Sequence, residues 1–546
     1  MRLSPKFAWL AGFTAVFAAL CGFVFWGTWS LDVAPVMPDC PTTHAPEYVA
    51  ALLRGILSSG CFVPDDLKGF LASPYFWQEL QYALALYCAA LGMAYFCRGR
   101  GLSRLAGYGA GLLLAFCGYW CTLFSAGHLG WFRWMTYGVF AFGLVDRAVA
   151  KGRLRHWLLL GACAAWGSFY QSDLWLLFAT FTGVYFVWRC VRARSLPWKG
   201  VLIAAAAFFL IGTPSFRKAL SDSLKDRDKQ IAEGQTVNPN VTDDAEKRWI
   251  FVTNWSLPPC ETAEFFVSRL NGDTSCPFTL SVGVKNGSGI RPYTGALGRP
   301  KDAKEGNYRQ HSLYVGWVTC LLALFGIAGC IGRLGKFGRA DTPTVVFFAT
   351  AAVVFWLFSM GRYCEPVYRL VYALPFGDYL RAPVKWHHLT EFCLCFLAAC
   401  GIDALARLLA RIPQLATKAA WLVGVLILIG LVDLAVAAHR YCAPVSVREA
   451  RRTRSTMQMT VLTRQQFQNP QTAEMVRRGQ VVSIASYMGH PDYYLVGILM
   501  PTKPVKIGEV KPLVLTLLLV SLLSTLAVLG VSSWSVFVLE RRGRAP

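Results

Sequence analysis

The sequence predicts an all-α fold, a polytopic bundle of about twelve transmembrane helices with large extracytoplasmic loops. The 546 residues are 55% hydrophobic and only 16% charged, whereas soluble globular domains carry roughly 25% charged residues. Long apolar runs also recur along the chain. A helix of about 20 apolar residues crosses a bilayer core of about 30 Å, so these runs indicate membrane spans.

Twelve apolar runs are the candidate spans. The first, 7–29, ends in aromatic residues rather than in the small-residue cleavage site of a signal peptide, so we expect it to remain in the protein as a helix. The other runs lie at about 79–97, 103–124, 131–149, 156–170, 174–190, 200–213, 312–332, 343–360, 386–406, 419–438 and 512–539.

Basic residues between the runs predict the orientation, because lysine and arginine concentrate in cytoplasmic loops. The turns 125–130 and 171–173 contain neither residue, and we expect them to face outward. The pattern predicts a multi-pass protein of the inner (plasma) membrane with both termini in the cytoplasm. It also accounts for most of the net charge of +23, so nucleic acid is not an expected partner. The basic clusters lie at 98–104, 147–155, 189–199, 333–339, 407–418 and 541–544.

This topology divides the chain into three parts. Residues 1–440 form the predicted transmembrane core, with outer loops at 30–78, 214–311 and 361–385. Residues 441–511 form an outer-side segment, and residues 512–546 form the last helix and a basic cytoplasmic tail.

The outer segments contain cysteines that an oxidising exterior allows to pair. Cys40 and Cys61 share one loop, and Cys260 and Cys276 share another, so these are the expected disulfides; the alternative is that all four remain thiols. The other cysteines show neither a CxxC pair nor the Cys/His spacing of a zinc site. No metal site and no cofactor are therefore expected, although a divalent cation stays open.

Two acids lie just after the first span, at the start of the first outer loop. Asp32 and Asp39 stand in the sequence GTWSLDVAPVMPDC. A carboxylate at the bilayer surface is well placed to act as a general base on a lipid-borne headgroup. The simpler alternative is that Asp32 caps the helix junction or is merely solvated.

Polar side chains also lie at the predicted outer ends of the third to sixth spans. His128 stands in SAGHLGWFRW, and Gln171 and Asp173 stand in SFYQSDLW. Polar groups at the membrane edge are costly unless paired or hydrated, so they predict a wet cavity that opens outward. A structural role at the interface is the alternative for His128.

The segment 359–392 combines arginines with aromatic residues. Arginine can bind phosphate through two hydrogen bonds, and aromatic faces at the membrane interface can hold acyl chains or sugar rings. The segment therefore suits a phospholipid-like donor, while the alternative is an ordinary interfacial helix with outward basic side chains. The arginines in question are Arg362, Arg369 and Arg381.

Several enzyme templates are absent from the sequence. It contains no phosphate-binding loop, no Rossmann glycine fingerprint, no HExxH zinc motif and no GxSxG nucleophile elbow. Cytosolic nucleotide chemistry is therefore not expected.

Four stretches resemble the YfhO-like family of bacterial membrane proteins, which belongs with the GT-C superfamily of polyprenyl-linked glycosyltransferases. They are residues 98–131, 255–272, 314–327 and 361–392. The last stretch is similar to a family pattern of a tight glycine turn, a tyrosine-rich segment and an Arg-x-Pro that leads into the next helix.

The resemblance implies a GT-C like bundle whose outer loops bind a sugar on a lipid phosphate. An acid of the first outer loop would be the catalytic base, with Asp32 the best match and Asp39 the reserve. Arg381, with Arg362 or Arg369, would hold the phosphate, and His128, Gln171 and Asp173 would orient hydroxyl groups. The expected partners are membrane lipids, a polyprenyl-phosphate-linked sugar, and a glycan, lipid or protein acceptor.

Two other functions stay open. A lipid or polysaccharide exporter can also have twelve helices, although repeat symmetry and broken helices, which are common in transporters, are not evident in the sequence. A non-catalytic envelope assembly factor is the second alternative, and it would tolerate Asp32→Asn.

Overall fold

The computed structural model describes most of the helical chain and parts of the loops. The described residues are 5–26, 33–34, 63–64, 74–126, 129–168, 172–212, 243–271, 312–330, 341–374, 377, 380–439, 445–446, 455–463, 468–478, 481–486, 493–501 and 512–542.

Helices dominate the described part of the chain. They are α1 (Pro5–Val24), α2 (Pro74–Gly99), α3 (Arg104–Phe116), α4 (Tyr119–Ala126), α5 (Leu129–Lys151), α6 (Leu154–Gly167), α7 (Ser172–Ala193), α8 (Trp198–Gly212), α9 (Asp244–Val252), α10 (Trp317–Cys330), α11 (Thr342–Ser359), α12 (Glu365–Tyr372), α13 (His387–Ala410), α14 (Ala419–His439), α15 (Pro470–Arg477) and α16 (Pro512–Arg542). Three 3-10 helices cover Pro259–Phe265, Gly361–Cys364 and Pro383–Trp386.

Each of the twelve predicted apolar runs coincides with helical structure. Among the described residues, seven helices are long and apolar enough to cross a membrane, by length and composition, and α8 and α10 are shorter apolar helices. The chain is therefore a membrane-embedded helical protein. The run 103–124 differs from the expectation, because it is two helices, α3 and α4, separated at Cys117 and Gly118.

The centre of the bundle is α13, which packs against α10, α11, α3 and α14. Its closest neighbour is α10, and the contact depends on glycine. A Cβ atom added to Gly401 would collide with the carbonyl oxygen of Leu322, and one added to Gly326 would collide with that of Leu397. Small residues let membrane helices approach to backbone contact in this way, where lipid provides no hydrophobic driving force.

A buried ionic network joins the helix ends that the sequence predicts to be cytoplasmic. This end of the bundle is called the basic end. Asp146 of α5 is 3% exposed. Its Oδ1 lies 3.3 Å from Nη1 of Arg100 and 2.7 Å from Nε of Arg189, and the Tyr185 hydroxyl donates to it at 2.9 Å. The network ties the end of α2 to α5 and α7.

Asp341, the residue before α11, extends the basic end to a fourth helix. Its carboxylate contacts the guanidinium of Arg100 and accepts a hydrogen bond from the Thr344 hydroxyl at 2.7 Å. Burial acts to raise the pKa of Asp341, but the Thr344 hydroxyl and the charge of Arg100 outweigh it and hold that pKa below its ordinary value. The predicted alternation of loop sides agrees with this clustering.

The opposite end of the bundle joins the first and last parts of the core. Nδ1 of His439, at the end of α14, lies 3.1 Å from the carbonyl oxygen of Val24, at the end of α1. Strand β1 (Val33–Ala34) then pairs antiparallel with β2 (Val445–Ser446). The predicted outer loop 30–78 and the predicted outer-side segment 441–511 are therefore in direct contact.

The outer-side segment corrects the prediction of an all-α chain. It contains a three-stranded antiparallel sheet in the order β3 (Ser455–Thr463), β5 (Tyr493–Pro501), β4 (Val481–Ser486), with α15 between β3 and β4 in the chain. Alternating residues such as those of STMQMTVLT fit a strand period of two. The all-α prediction holds for the transmembrane core.

Candidate functional site

Only part of the predicted site lies within the described residues. Arg362, Arg369 and Arg381 are described in full. Asp173 lies in the first turn of α7, but its side chain is outside the description, and Cys260 is exposed on the 3-10 helix Pro259–Phe265. Asp32, Asp39, His128, Gln171, Cys40, Cys61 and Cys276 lie outside the described residues, so their predicted roles stay predictions.

The three arginines surround a place where three distant segments meet, at the start of α13 and the end of α11. These segments, 249–257, 359–363 and 380–386, are called the junction here. Backbone hydrogen bonds join them: Ala382 donates to the carbonyl of Val252 at 3.2 Å, and Leu257 donates to that of Ser359 at 2.8 Å. The amide of Val384 also donates to the carbonyl of Trp255 at 3.1 Å.

The backbone of the junction is strained at two residues that are not glycine. Trp255 has a φ of 57° and Ala382 a φ of 62°. A left-handed conformation costs about 1–2 kcal/mol in a residue with a Cβ atom, and such residues concentrate at functional sites. Gly361 adopts φ 48° in the same place, and a Cβ there would collide with the Ser256 hydroxyl and Pro383.

Arg381 is held against two aromatic rings that are themselves buried. Its guanidinium carbon lies 4.6 Å from the ring centroid of Phe251 and 4.5 Å from that of Trp255. Phe251 is 1% and Trp255 8% exposed. A guanidinium within about 6 Å of an aromatic face is attracted by the ring quadrupole, and the attraction grows as water is removed. The half-buried Arg381 therefore has a fixed position.

Arg362 contacts the same turn as Arg381. Its backbone amide donates to the Ser256 hydroxyl at 3.0 Å, and its guanidinium carbon lies 5.9 Å from the ring centroid of Tyr363. Burial raises the pKa of the Tyr363 hydroxyl, with the charge of Arg362 acting in the opposite direction. The junction thus gathers two arginines around Trp255 and Ser256, and the buried Lys385 adds a third basic group.

Arg369 lies to one side of this pair and has an acidic partner. It forms an ion pair with Glu365, one turn earlier in α12, at 2.8 Å, and both side chains are 51% exposed. Its guanidinium carbon lies 3.8 Å from the ring centroid of Trp249. Of the two predicted companions of Arg381, Arg362 is the one whose backbone amide contacts the turn that carries Trp255.

A buried cluster of titratable side chains lies just beyond the junction and is not among the site residues predicted from the sequence. His387, His388 and Glu391 of α13 are all 3% exposed or less. Glu391 lies 3.6 Å from Nε2 of His387 and 3.7 Å from Nδ1 of His388. The spacing HHxxE was a readable signal, because these positions share one helix face.

Glu391 has a structural task at the break between α3 and α4. The Tyr119 amide, the first of α4, donates to Oε1 of Glu391 at 3.2 Å. An acid at a helix N-terminus satisfies an open N–H group and interacts favourably with the helix dipole. No group of three His, Cys, Asp or Glu residues in the described chain has the geometry of a metal site.

The two large cavities that we describe are apolar and lie away from the junction. One, of about 500 Å³, lies between α1, α3 and α14 and is lined by residues such as Trp9, Tyr108 and Ile427. The other, of about 250 Å³, lies among α5 to α8. Their size and lining suit apolar chains, whereas the polar groups that could do chemistry are at the junction.

No family model, no curated protein and no solved structure matches the chain. The chemistry of the junction is therefore the basis on which a function can be proposed.

Proposed function

We propose that the chain is a membrane glycosyltransferase of the GT-C type, similar to the YfhO-like proteins. It would move a sugar from a polyprenyl-phosphate donor to a cell-envelope acceptor on the extracytoplasmic face. The proposed topology has twelve spans, with both termini in the cytoplasm and the junction on the outer side of the inner membrane.

The observation that carries this proposal is the setting of Arg381. A guanidinium fixed against Phe251 and Trp255, with Arg362 on the same turn, suits the phosphate of a lipid. Arginine can bind phosphate oxygens through two parallel hydrogen bonds.

The proposed reaction is an inverting transfer. The acceptor oxygen forms a bond to the anomeric carbon of the sugar while the bond from that carbon to the phosphate oxygen breaks. Asp32 takes the proton of the acceptor hydroxyl. The arginines stabilise the negative charge that develops on the departing phosphate.

One structural fact is compatible with Asp32 in this role. The residues that follow it, Val33–Ala34, pair with Val445–Ser446, shortly after the end of α14. Because α13 and α14 are consecutive and pack together, the end of α14 and the start of α13 belong to the same end of the bundle. The strand after Asp32 is therefore at the junction end.

An exporter is the second candidate, and the break between α3 and α4 favours it, because discontinuous helices are common in transporters. The open backbone groups at this break bind protein: the Gly118 amide donates to the carbonyl of Tyr314 at 2.6 Å, and the Tyr119 amide donates to Glu391. Because these two amides are already hydrogen-bonded within the protein, the break is less suited to binding an ion.

The test is transfer by the purified full-length protein in lipid vesicles that contain a polyprenyl-phosphate sugar and a glycan acceptor. We expect sugar on the acceptor and free polyprenyl phosphate in equal amounts. Asp32→Asn should abolish transfer and leave the protein folded. Movement of intact lipid-linked sugar across the vesicle membrane without transfer would favour the exporter, and full activity of Asp32→Asn would contradict the assigned base.

A deletion strain tests the same proposal in the cell. Loss of a glycosyltransferase should leave its lipid-linked sugar accumulated and the envelope glycan short of that sugar, both measurable by mass spectrometry. A normal glycan in a strain that lacks the gene would contradict the proposal. If the chain were instead an assembly factor, a strain that carries Asp32→Asn would have the same glycan as the wild type.

A further inference from the structure

Asn254 of the junction is a buried amide without a hydrogen-bonding partner. The residue is 3% exposed. Among the residues that the structure describes, neither its Nδ2 nor its Oδ1 has a hydrogen-bond partner. Buried polar side chains in folded proteins nearly always have at least one partner, so each exception needs an explanation.

The polar groups next to Asn254 in the chain have hydrogen-bond partners. The Thr253 hydroxyl donates to the carbonyl of Trp249 at 2.7 Å, and the Ser256 hydroxyl donates to that of Thr253 at 2.6 Å. The carbonyl of Trp255 accepts from Val384 at 3.1 Å. Among these groups of the described turn, only the carboxamide of Asn254 is left without a partner.

We propose that the carboxamide of Asn254 binds hydroxyl groups of the sugar on the lipid phosphate, an inference that rests on the proposed function. A carboxamide presents a donor and an acceptor side by side, and neighbouring sugar hydroxyls can accept and donate in return. A phosphate oxygen only accepts, so it suits the arginines and leaves Oδ1 of Asn254 without a donor.

The position of Asn254 fits this assignment. The next residue is Trp255, and the guanidinium carbon of Arg381 lies 4.5 Å from the centroid of its ring. Successive Cα atoms are about 3.8 Å apart. A phosphate at Arg381 therefore places the attached sugar within reach of the neighbouring residue.

The experiment measures binding of two probes to the full-length protein in nanodiscs, a polyprenyl phosphate and the same lipid phosphate with a glucosyl group. The wild type should bind the glucosyl lipid more tightly. Asn254→Leu, which keeps the shape of the side chain, should weaken binding of the glucosyl lipid about tenfold and leave the sugarless lipid unchanged. Asn254→Ala should act in the same way, and it covers the case in which leucine does not fit.

Thermal unfolding provides an independent readout. An apolar replacement of an unpaired buried amide is neutral or stabilising, so Asn254→Leu should unfold at the same temperature as the wild type or above it. Asn271→Leu is the matched control, because the Asn271 amide donates to Glu264 at 3.0 Å. It should lower the unfolding temperature and keep the preference for the glucosyl lipid.

Three results would overturn the inference. If both Asn254 variants keep the wild-type preference for the glucosyl lipid, or if both unfold well below the wild type, the amide has another partner and only this inference is lost. If the wild type binds neither lipid, the proposed function is lost with it.

Discussion

The two ends of the bundle hold their arginines in different ways. At the basic end, Arg100 and Arg189 both contact the carboxylate of Asp146. At the junction, the guanidinium of Arg381 lies against the rings of Phe251 and Trp255. A carboxylate neutralises a guanidinium charge, whereas an aromatic ring attracts the charge without neutralising it.

We interpret the basic end as a structural site and the junction as a candidate binding site. The basic end pairs its arginines with carboxylates and fastens four helices together. Unsatisfied buried atoms occur at both ends among the described residues, including Oδ2 of Asp146 and the carboxamide of Asn254. The junction differs in its strained turns at Trp255 and Ala382, and strained backbone concentrates at functional sites.

The largest stability effect should come from the basic end. Asp146→Asn removes the negative charge that Arg100 and Arg189 share, and loss of one partner of a buried ion pair typically costs about 3–5 kcal/mol. Chemical unfolding in detergent micelles measures the effect, with Arg381→Gln as the comparison, which should cost less. Equal losses in the two variants would contradict the distinction between the two ends.

The largest activity effect should come from the junction. Arg381→Gln removes a group that would stabilise the departing phosphate, so transfer should fall about a hundredfold or more. Arg369→Gln is the control, because Arg369 also lies over a tryptophan but belongs to α12, outside the three segments of the junction, in an exposed ion pair with Glu365. Initial rates of sugar transfer measure both variants. A similar loss in the two variants would contradict a special role of the junction.

Relief of the strain at Ala382 should have a smaller effect. Ala382→Gly removes a left-handed φ of 62° from a residue with a Cβ atom, and it should raise the free energy of unfolding by up to about 1 kcal/mol. Ala398→Gly, in the interior of α13, should lower it by at least about 1 kcal/mol. Thermal unfolding of both variants checks that the two changes in the free energy of unfolding have opposite signs. A lower free energy of unfolding in both variants would contradict strain at Ala382.

The smallest effect should come from the exposed pair of α12. A double-mutant cycle of Glu365→Gln and Arg369→Gln should give a coupling free energy of about 0.3–0.5 kcal/mol, because both side chains are half exposed. Added salt should reduce it further. A coupling near that of a buried pair would mean that Arg369 belongs to the junction after all.

Much of the fold could be predicted from the sequence, because membrane helices are local structures. Their backbone groups bond within one segment, so an apolar run of sufficient length specifies a helix. The twelve predicted runs accordingly all coincide with helices. The break at Cys117 and Gly118 could not be predicted in this way, because its open amides are satisfied by Tyr314 and Glu391 from distant segments.

The sheet of the segment 441–511 could not be predicted for a different reason. The alternation in β3 and the β-branched residues of β4 favour strands, but strands are paired by distant segments, and short alternating runs do not specify which strands pair. The candidate site was predicted in part: Arg362 and Arg381 were singled out and do meet one turn, while Asn254 and the cluster around Glu391 were not noticed.

The sequence by itself determined that the chain is a membrane protein and where its long apolar helices lie, because composition and local periodicity carry that information. Only the tertiary structure decided which arginine meets which aromatic ring, that Arg369 is paired with Glu365, and that Asn254 is buried with no hydrogen-bond partner among the described residues. Those relations join segments far apart in the chain, and they depend on how packed helices bring their ends together.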